Sequence, residues 1–336
     1  MSSLVFYHVK WHSHPVVPKI WYGDPKSKEI TKEVVEIGKE FHIRIGSNRY
    51  CIGSETGKGQ WITCKERRIN DGEDDAESSL KFVQADPSTG ENPSTENSSE
   101  IMLIPDNRTY IQCYRCATTE YFTCRMTCQG DVCVPTSDRA YELCQPPKTS
   151  VYLTYVGDEL KIGVSLGIPR RWVEQGSDLA TVVATAPGLE ARRLEQYAAQ
   201  QLNLKLQVRN STKLQSLNSI DMEQGRQQLE KAIDDIQPLI TEILGNVPGN
   251  TVRQPEIIDL HPYYGDLHIS TPVQQVEVLP GNEFGGEIVG LKGSILVVKQ
   301  GAYHYAMDLK KLRSYEFDFI DEKAKIATQS YLDQWF

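Results

Sequence analysis

Eight cysteines, Cys51, Cys64, Cys113, Cys116, Cys124, Cys128, Cys133 and Cys144, crowd the first half of a 336-residue chain, and none follows Cys144. Such crowding points to joint use. Nothing in the sequence directs the chain to an oxidising compartment, where disulfides persist. Four thiolates around zinc complete a tetrahedral shell without redox chemistry. Cys113-Tyr-Arg-Cys116 has the two-residue spacing of a zinc knuckle, and Cys51 and Cys64 are its natural partners. Cys124, Cys128, Cys133 and Cys144 would form a second site. We expect two structural zinc ions, each closed to a catalytic water. One zinc with free thiols, disulfides or an iron–sulfur cluster are the alternatives. His8, His12 and His14 could add a ligand, but a surface strand is the simpler reading.

A second set of side chains lies just beyond the cysteines. Val151–Val156 and Leu160–Val164 read as strands around a Gly157-Asp158 turn, hence a β-hairpin. Pro169 opens a short helix carrying Arg170, Arg171 and Trp172. Ala180–Ala184 reads as a third strand and Leu189–Leu202 as a helix bearing Glu195. Four groups on these elements can do chemistry: Tyr152, Lys161, Arg171 and Glu195. Each has a plainer role: a packed tyrosine, an exposed strand lysine, a solvated cation, and an ion pair with Arg192 one helical turn away.

Tyr152 on the first strand, Lys161-Ile162-Gly163 on the second, Arg171-Trp172 eight residues beyond the glycine, and Glu195 on a later helix together resemble the GIY-YIG nuclease core, over roughly residues 151–204. Zinc-type cysteines running into VYL, KIGVS, R-W and QG are similar to an uncharacterised prokaryotic domain-of-unknown-function family with a GIY-YIG-like middle, ending in a segment like Gly286–Gly293. The resemblance implies divalent-metal-dependent cleavage of phosphodiester bonds. Glu195 would hold Mg2+ or Mn2+, Arg171 would clamp phosphate, and Tyr152 or Lys161 would handle protons. Two positions depart from the pattern: Lys161 replaces the second motif tyrosine, and Ser150 replaces the first glycine.

The remaining sequence supplies the frame. The net charge is −9, but residues 70–100 are rich in Asp, Glu, Ser and Asn and carry most of it, so we expect a solvated acidic loop there and near-neutral folded parts. Phe41, Ile43 and Ile45 alternate as on a strand. Leu229, Ile233, Ile236, Ile240 and Ile243 recur at helical spacing within Asp221–Leu244, with Pro238 as a kink and Gly245 as a stop. Short strands at Val276–Leu279, Gly286–Leu291, Ser294–Val298 and His304–Met307 suggest a small barrel. Its aromatics, Tyr263, Tyr264, Phe284, Tyr303, Tyr305 and Tyr315, could stack bases beside Lys292, Lys299, Lys310, Lys311 and Arg313.

We therefore expect an α+β, multidomain protein: a zinc-stapled β-rich domain at 1–148, a GIY-YIG-like α/β domain at 149–250, and a β-barrel-like C-terminal module at 251–336. No apolar run is long enough to span a bilayer, and Met1–Pro15 lack a signal-peptide core, so the expected setting is cytoplasmic. The expected partners are DNA or RNA. A non-catalytic protein that binds RNA, DNA or a protein partner is the alternative.

Overall fold

The computed structural model describes residues 3–27, 29–55, 61–64, 111–113, 116, 128–135, 137–267, 269 and 271–326. The acidic segment at 70–100 and Cys124 lie outside the described residues.

Two antiparallel-dominated sheets face each other. The larger contains nine strands: β1 (Leu4–Trp11), β2 (Pro18–Gly23), β3 (Thr31–Val34) and β4 (Glu40–Arg49) from the front, then β12 (Val273–Gln275), β13 (Glu283–Lys292), β14 (Ile295–Gln300), β15 (Tyr303–Asp308) and β16 (Tyr315–Phe319). Their order is β12-β15-β14-β13-β4-β16-β1-β2-β3. β4 thus lies between two C-terminal strands, with Ile43 opposite Phe284 and Ile45 opposite Phe317. This corrects the expected separation of a front domain and a C-terminal barrel. The alternating apolar faces of the two ends, none large enough to form a core alone, bury against each other in one sheet. Phe41, Ile43 and Ile45 do share a buried face.

Of the aromatics expected to stack bases, Tyr264, Phe284 and Tyr305 are core residues, whereas Tyr263 and Tyr303 are 37% and 58% exposed. Arg49 lies over the Tyr315 ring.

The smaller sheet holds β7 (Thr149–Val156), β8 (Glu159–Ser165), β9 (Leu179–Ala186), β10 (Thr251–Val252) and β11 (Ile258–Asp259). β7 is paired on one side with β8 and on the other with β9. Gly157 and Asp158 both have positive φ, 54° and 66°, as a two-residue hairpin turn demands. Two helices cover one face: α3 (Gly188–Gln201) and α5 (Met222–Leu244). Asp221 caps α5 by accepting from the Gln224 amide at 2.9 Å. The helix runs unbroken through Pro238 and stops at Gly245. Its buried Leu229, Ile236 and Ile240 pack with Val151, Leu153 and Tyr155 of β7.

The intervening residue of β7, Tyr152, points to the opposite face. There it joins Trp172, Val173 and Ala180 in the core of the nine-stranded sheet. Strand alternation therefore puts Tyr152 between the two sheets. Polar bonds link them: Lys292 donates to Asp178 at 2.5 Å, and Tyr264 to the Ser177 carbonyl at 2.6 Å. No helix among the described residues is long and apolar enough to cross a membrane.

Candidate metal centre and cationic site

Strand β4 ends at Arg49 and delivers Cys51 to a small hairpin of β5 (Ser54–Glu55) and β6 (Trp61–Ile62), which returns the chain to Cys64. Gly53 makes that return possible: its φ is +82°, and a Cβ there would overlap the Ile62 carbonyl. The Gln112 side-chain amide donates to the Gly53 carbonyl at 2.6 Å, tying the residue before Cys113 to this turn.

The Sγ atoms of Cys51, Cys64, Cys113 and Cys116 all lie within 4.8 Å of one another. The Cys64–Cys113 separation is 3.8 Å, and the edge of a tetrahedron of ~2.3 Å zinc–sulfur bonds is also about 3.8 Å. The Cys113 amide donates to Cys51 Sγ at 3.2 Å, the kind of bond that steadies a thiolate ligand. Crowding splits the thiols. Hydrogen bonds with Cys116, Cys51 and Cys64 hold Cys113 well below the thiol range, while Cys51 and Cys116 are pushed up, chiefly by Cys113. The tetrad can hold a metal ion, and its all-sulfur donor set suits zinc.

The second expected quartet includes Cys124, which lies outside the described residues. Cys128, Cys133 and Cys144, the last at the end of α1 (Asp138–Cys144), line one cavity of about 410 Å³ with Gly188 and Arg192, and among the described residues only the first tetrad has metal-binding geometry. His8, His12 and His14 stay outside it. His8 lies on β1, inside the nine-stranded sheet rather than on a surface strand, and burial and nearby Arg313 hold its pKa at about 3.

The other set gathers around Tyr152. Tyr152 faces Gly163 across β7 and β8, and the Lys161 Nζ lies 5.7 Å from the Tyr152 ring centroid. Arg171 is on the short helix α2 (Arg170–Glu174) with its side chain 49% exposed. Gln175, at the end of that helix, joins two of them. With its oxygen turned toward the guanidinium it accepts from Arg171 Nε and Nη2 at 3.0 and 3.1 Å and donates to Tyr152 Oη at 3.1 Å. Burial raises the Tyr152 pKa, with Glu195 adding and Arg171 opposing. Burial lowers Lys161 to about 8, with Glu195 opposing and Arg171 and Arg192 adding. The four expected residues therefore sit within one another's electrostatic reach.

They do not form an open cleft. Tyr152, Lys161 and Glu195 are 1%, 6% and 4% exposed; Tyr152 lies under the second sheet, and Glu195 is on α3, which packs along β7 and β8. Glu195 is ion-paired with Arg192. It is the one carboxylate of the set and is already neutralised, so these residues as arranged do not fit a divalent-metal site. Of the residues that the sequence reading left without a role, Gln175 was visible within the QG dipeptide. Asp178 and Lys213 carry no local signal, since only tertiary packing gives them partners.

No curated protein and no solved structure matches the chain. A family model described as a protein of unknown function, DUF2797, matches residues 107–317, which is well over half of the sequence. The match takes in Cys113, Cys116 and the whole Tyr152–Glu195 set and leaves Cys51 and Cys64 before it. The chain belongs to the DUF2797 family.

Proposed function

We propose that this protein engages nucleic acid, as a zinc-stapled chain with a GIY-YIG-like core, and that the strand meets it around Arg171. The carrying observation is the Lys161 ammonium. It is buried, and its one hydrogen bond among the described residues, at 2.9 Å, goes to the neutral Ile162 carbonyl. Beside it the exposed Arg171 guanidinium is aimed by Gln175. A lysine this deeply buried is costly, and the exposed guanidinium beside it is a place for phosphate. The order hairpin, short helix, strand, helix supports the GIY-YIG-like reading of the core.

Phosphodiester cleavage with Mg2+ or Mn2+ is the reaction class in this proposal. It requires Glu195 to part from Arg192. Lys161, titrating near 8, would share proton handling with Tyr152 near neutral pH. The Glu195–Arg192 pair favours a second reading, a non-catalytic binding or scaffold protein for RNA, DNA or a protein partner.

A cleavage assay on single- and double-stranded DNA and RNA, with magnesium or manganese, separates the two. Products that Glu195→Ala and Arg171→Ala both abolish establish cleavage at this site. Binding without products assigns the scaffold reading. Neither binding nor cutting by the wild type overturns the nucleic-acid proposal.

A further inference from the structure

A cavity of about 910 Å³ opens where the two sheets meet, and none of Tyr152, Lys161, Arg171 and Glu195 lines it. β9 and β11 of the smaller sheet, β13 of the larger, the first turns of α5 and the chain after α4 (Asn210–Gln215) all contribute to its wall. Leu217, Ile220, Met222 and Leu267 give that wall an apolar part. Its size and mixed lining are those of a small-molecule pocket.

One polar feature of the wall is anchored in the core. Asp178 is fully buried. Its Oδ1 accepts from Lys292 Nζ at 2.5 Å and is 2.8 Å from His261 Nε2, and its Oδ2 accepts from the Gly157 amide at 3.1 Å. Lys292 and Asp178 neutralise each other. A carboxylate only accepts, so His261 Nε2 carries its hydrogen and Nδ1 is the open nitrogen of the ring. Asp259 lies 4.0 Å from Nδ1, beyond hydrogen-bond reach. The ring also sits against Tyr264, 6.5 Å between centroids, whose hydroxyl is held by the Ser177 carbonyl. His261 is thus fixed in place, lines the cavity, and keeps 30% of its side chain exposed.

Arg226, one helical turn beyond Met222 on α5, is half-buried in the same wall. Among the described residues its guanidinium makes no hydrogen bond and no ion pair. The exposed carboxylates of the wall are engaged elsewhere: Asp259 accepts from the His261 amide at 2.9 Å, and Glu223 from Gln227 at 3.0 Å. A half-buried fork of donors without an acceptor matches a carboxylate or phosphate.

We propose that this cavity binds a small organic anion, with an apolar body against Leu217, Met222 and Leu267, a carboxylate or phosphate head on Arg226, and His261 Nδ1 as a second polar contact. The site is separate from the proposed nucleic-acid contact at Arg171 and does not depend on it. The competing reading is a solvated cleft in which Asp178, His261 and Lys292 only tie the sheets together.

The test is a fluorescence titration of the zinc-loaded full chain with two probes of one ring system: anilinonaphthalenesulfonate, which carries a charge, and phenylnaphthylamine, which does not. The wild type should bind both saturably. Arg226→Gln should weaken the sulfonate on the order of tenfold and leave the neutral probe unchanged. Met222→Trp, which fills the cavity from α5, should weaken both. His261→Gln keeps an amide nitrogen for Asp178 and loses Nδ1, so it too should weaken the sulfonate. Decanoate or decyl phosphate should displace the sulfonate, the tighter of the two naming the head, and decanol should not. Arg226 has no partner to lose among the described residues, so its variant should melt with the wild type. Sulfonate binding that survives Arg226→Gln and Met222→Trp unchanged, or that neither anion displaces, overturns the proposal and leaves a solvated cleft.

Discussion

Lys161 and Tyr152 stand on adjoining strands with the lysine Nζ 5.7 Å from the centroid of the tyrosine ring. That ring lies across Gly163, its partner in the hairpin register, and its far edge meets Trp172 at 6.2 Å between centroids. A Cβ at position 163 would come within 2.5 Å of Tyr152 Cζ and closer still to Oη. The glycine is therefore required by the tyrosine. Gly163→Ala should destabilise the fold by about 1–3 kcal/mol through overpacking, read as a lower midpoint in urea. An unchanged midpoint would show that Tyr152 has room to move.

The buried ion pair of α3 gives a second expectation. Arg192→Ala leaves the Glu195 carboxylate, 5% exposed in its side chain, without its partner. Losing one member of a buried pair costs on the order of 3 kcal/mol. Arg192→Ala should therefore lower the urea midpoint more than Arg192→Lys, which keeps a cation beside Glu195. Equal loss in the two variants would mean that packing of the arginine, not its charge, matters.

How much of this was legible beforehand varied with the range of the interaction. The β7–β8 hairpin, α3, α5 and the first cysteine quartet follow from local signals: a two-residue turn, a capped apolar stripe and a knuckle spacing. The joining of β4 to β13 and β16 does not, because strand alternation tells which face is buried and never which distant strand is the neighbour. The same limit hid the burial of Tyr152. Its strand was plain, but the sheet that covers it comes from both ends of the chain. Lys292 read as a surface cation for want of any signal that Asp178 waits opposite.

Stability should rise with pH above neutrality. Burial lowers Lys213 from 10.5 to about 7, with Lys310, Lys292 and Lys161 adding and Asp308 opposing, and burial lowers Lys161 to about 8. Between those values and 10.5 the unfolded chain holds more protons than the folded one, so raising the pH favours folding. Tyr22 and Tyr50, raised chiefly by burial to about 12, reverse this above about pH 10. Thermal melts at pH 7 and 9.5 should show a gain on the order of 2 kcal/mol. Lys213→Met should melt higher than wild type at pH 7 and show a smaller gain. A Lys213→Met protein that melts lower at pH 7 with the full gain intact would mean the lysine is satisfied as it stands.

For the metal centre, elemental analysis of the purified chain should return zinc, and Cys113→Ser should remove the ion held by the first tetrad along with much of the thermal stability. Cys128→Ala should leave that ion in place, since Cys128 is not among its four ligands. Metal content unaffected by Cys113→Ser would place the ion elsewhere.

The central claim is that a nucleic-acid strand meets the protein at Arg171. The most direct measurement is an anisotropy titration of one labelled oligonucleotide, at low salt, with wild type and Arg171→Ala side by side. The account predicts salt-sensitive binding by the wild type and a loss on the order of tenfold in the variant. Wild-type protein that leaves the oligonucleotide free, or a variant that binds as well as wild type, would contradict it.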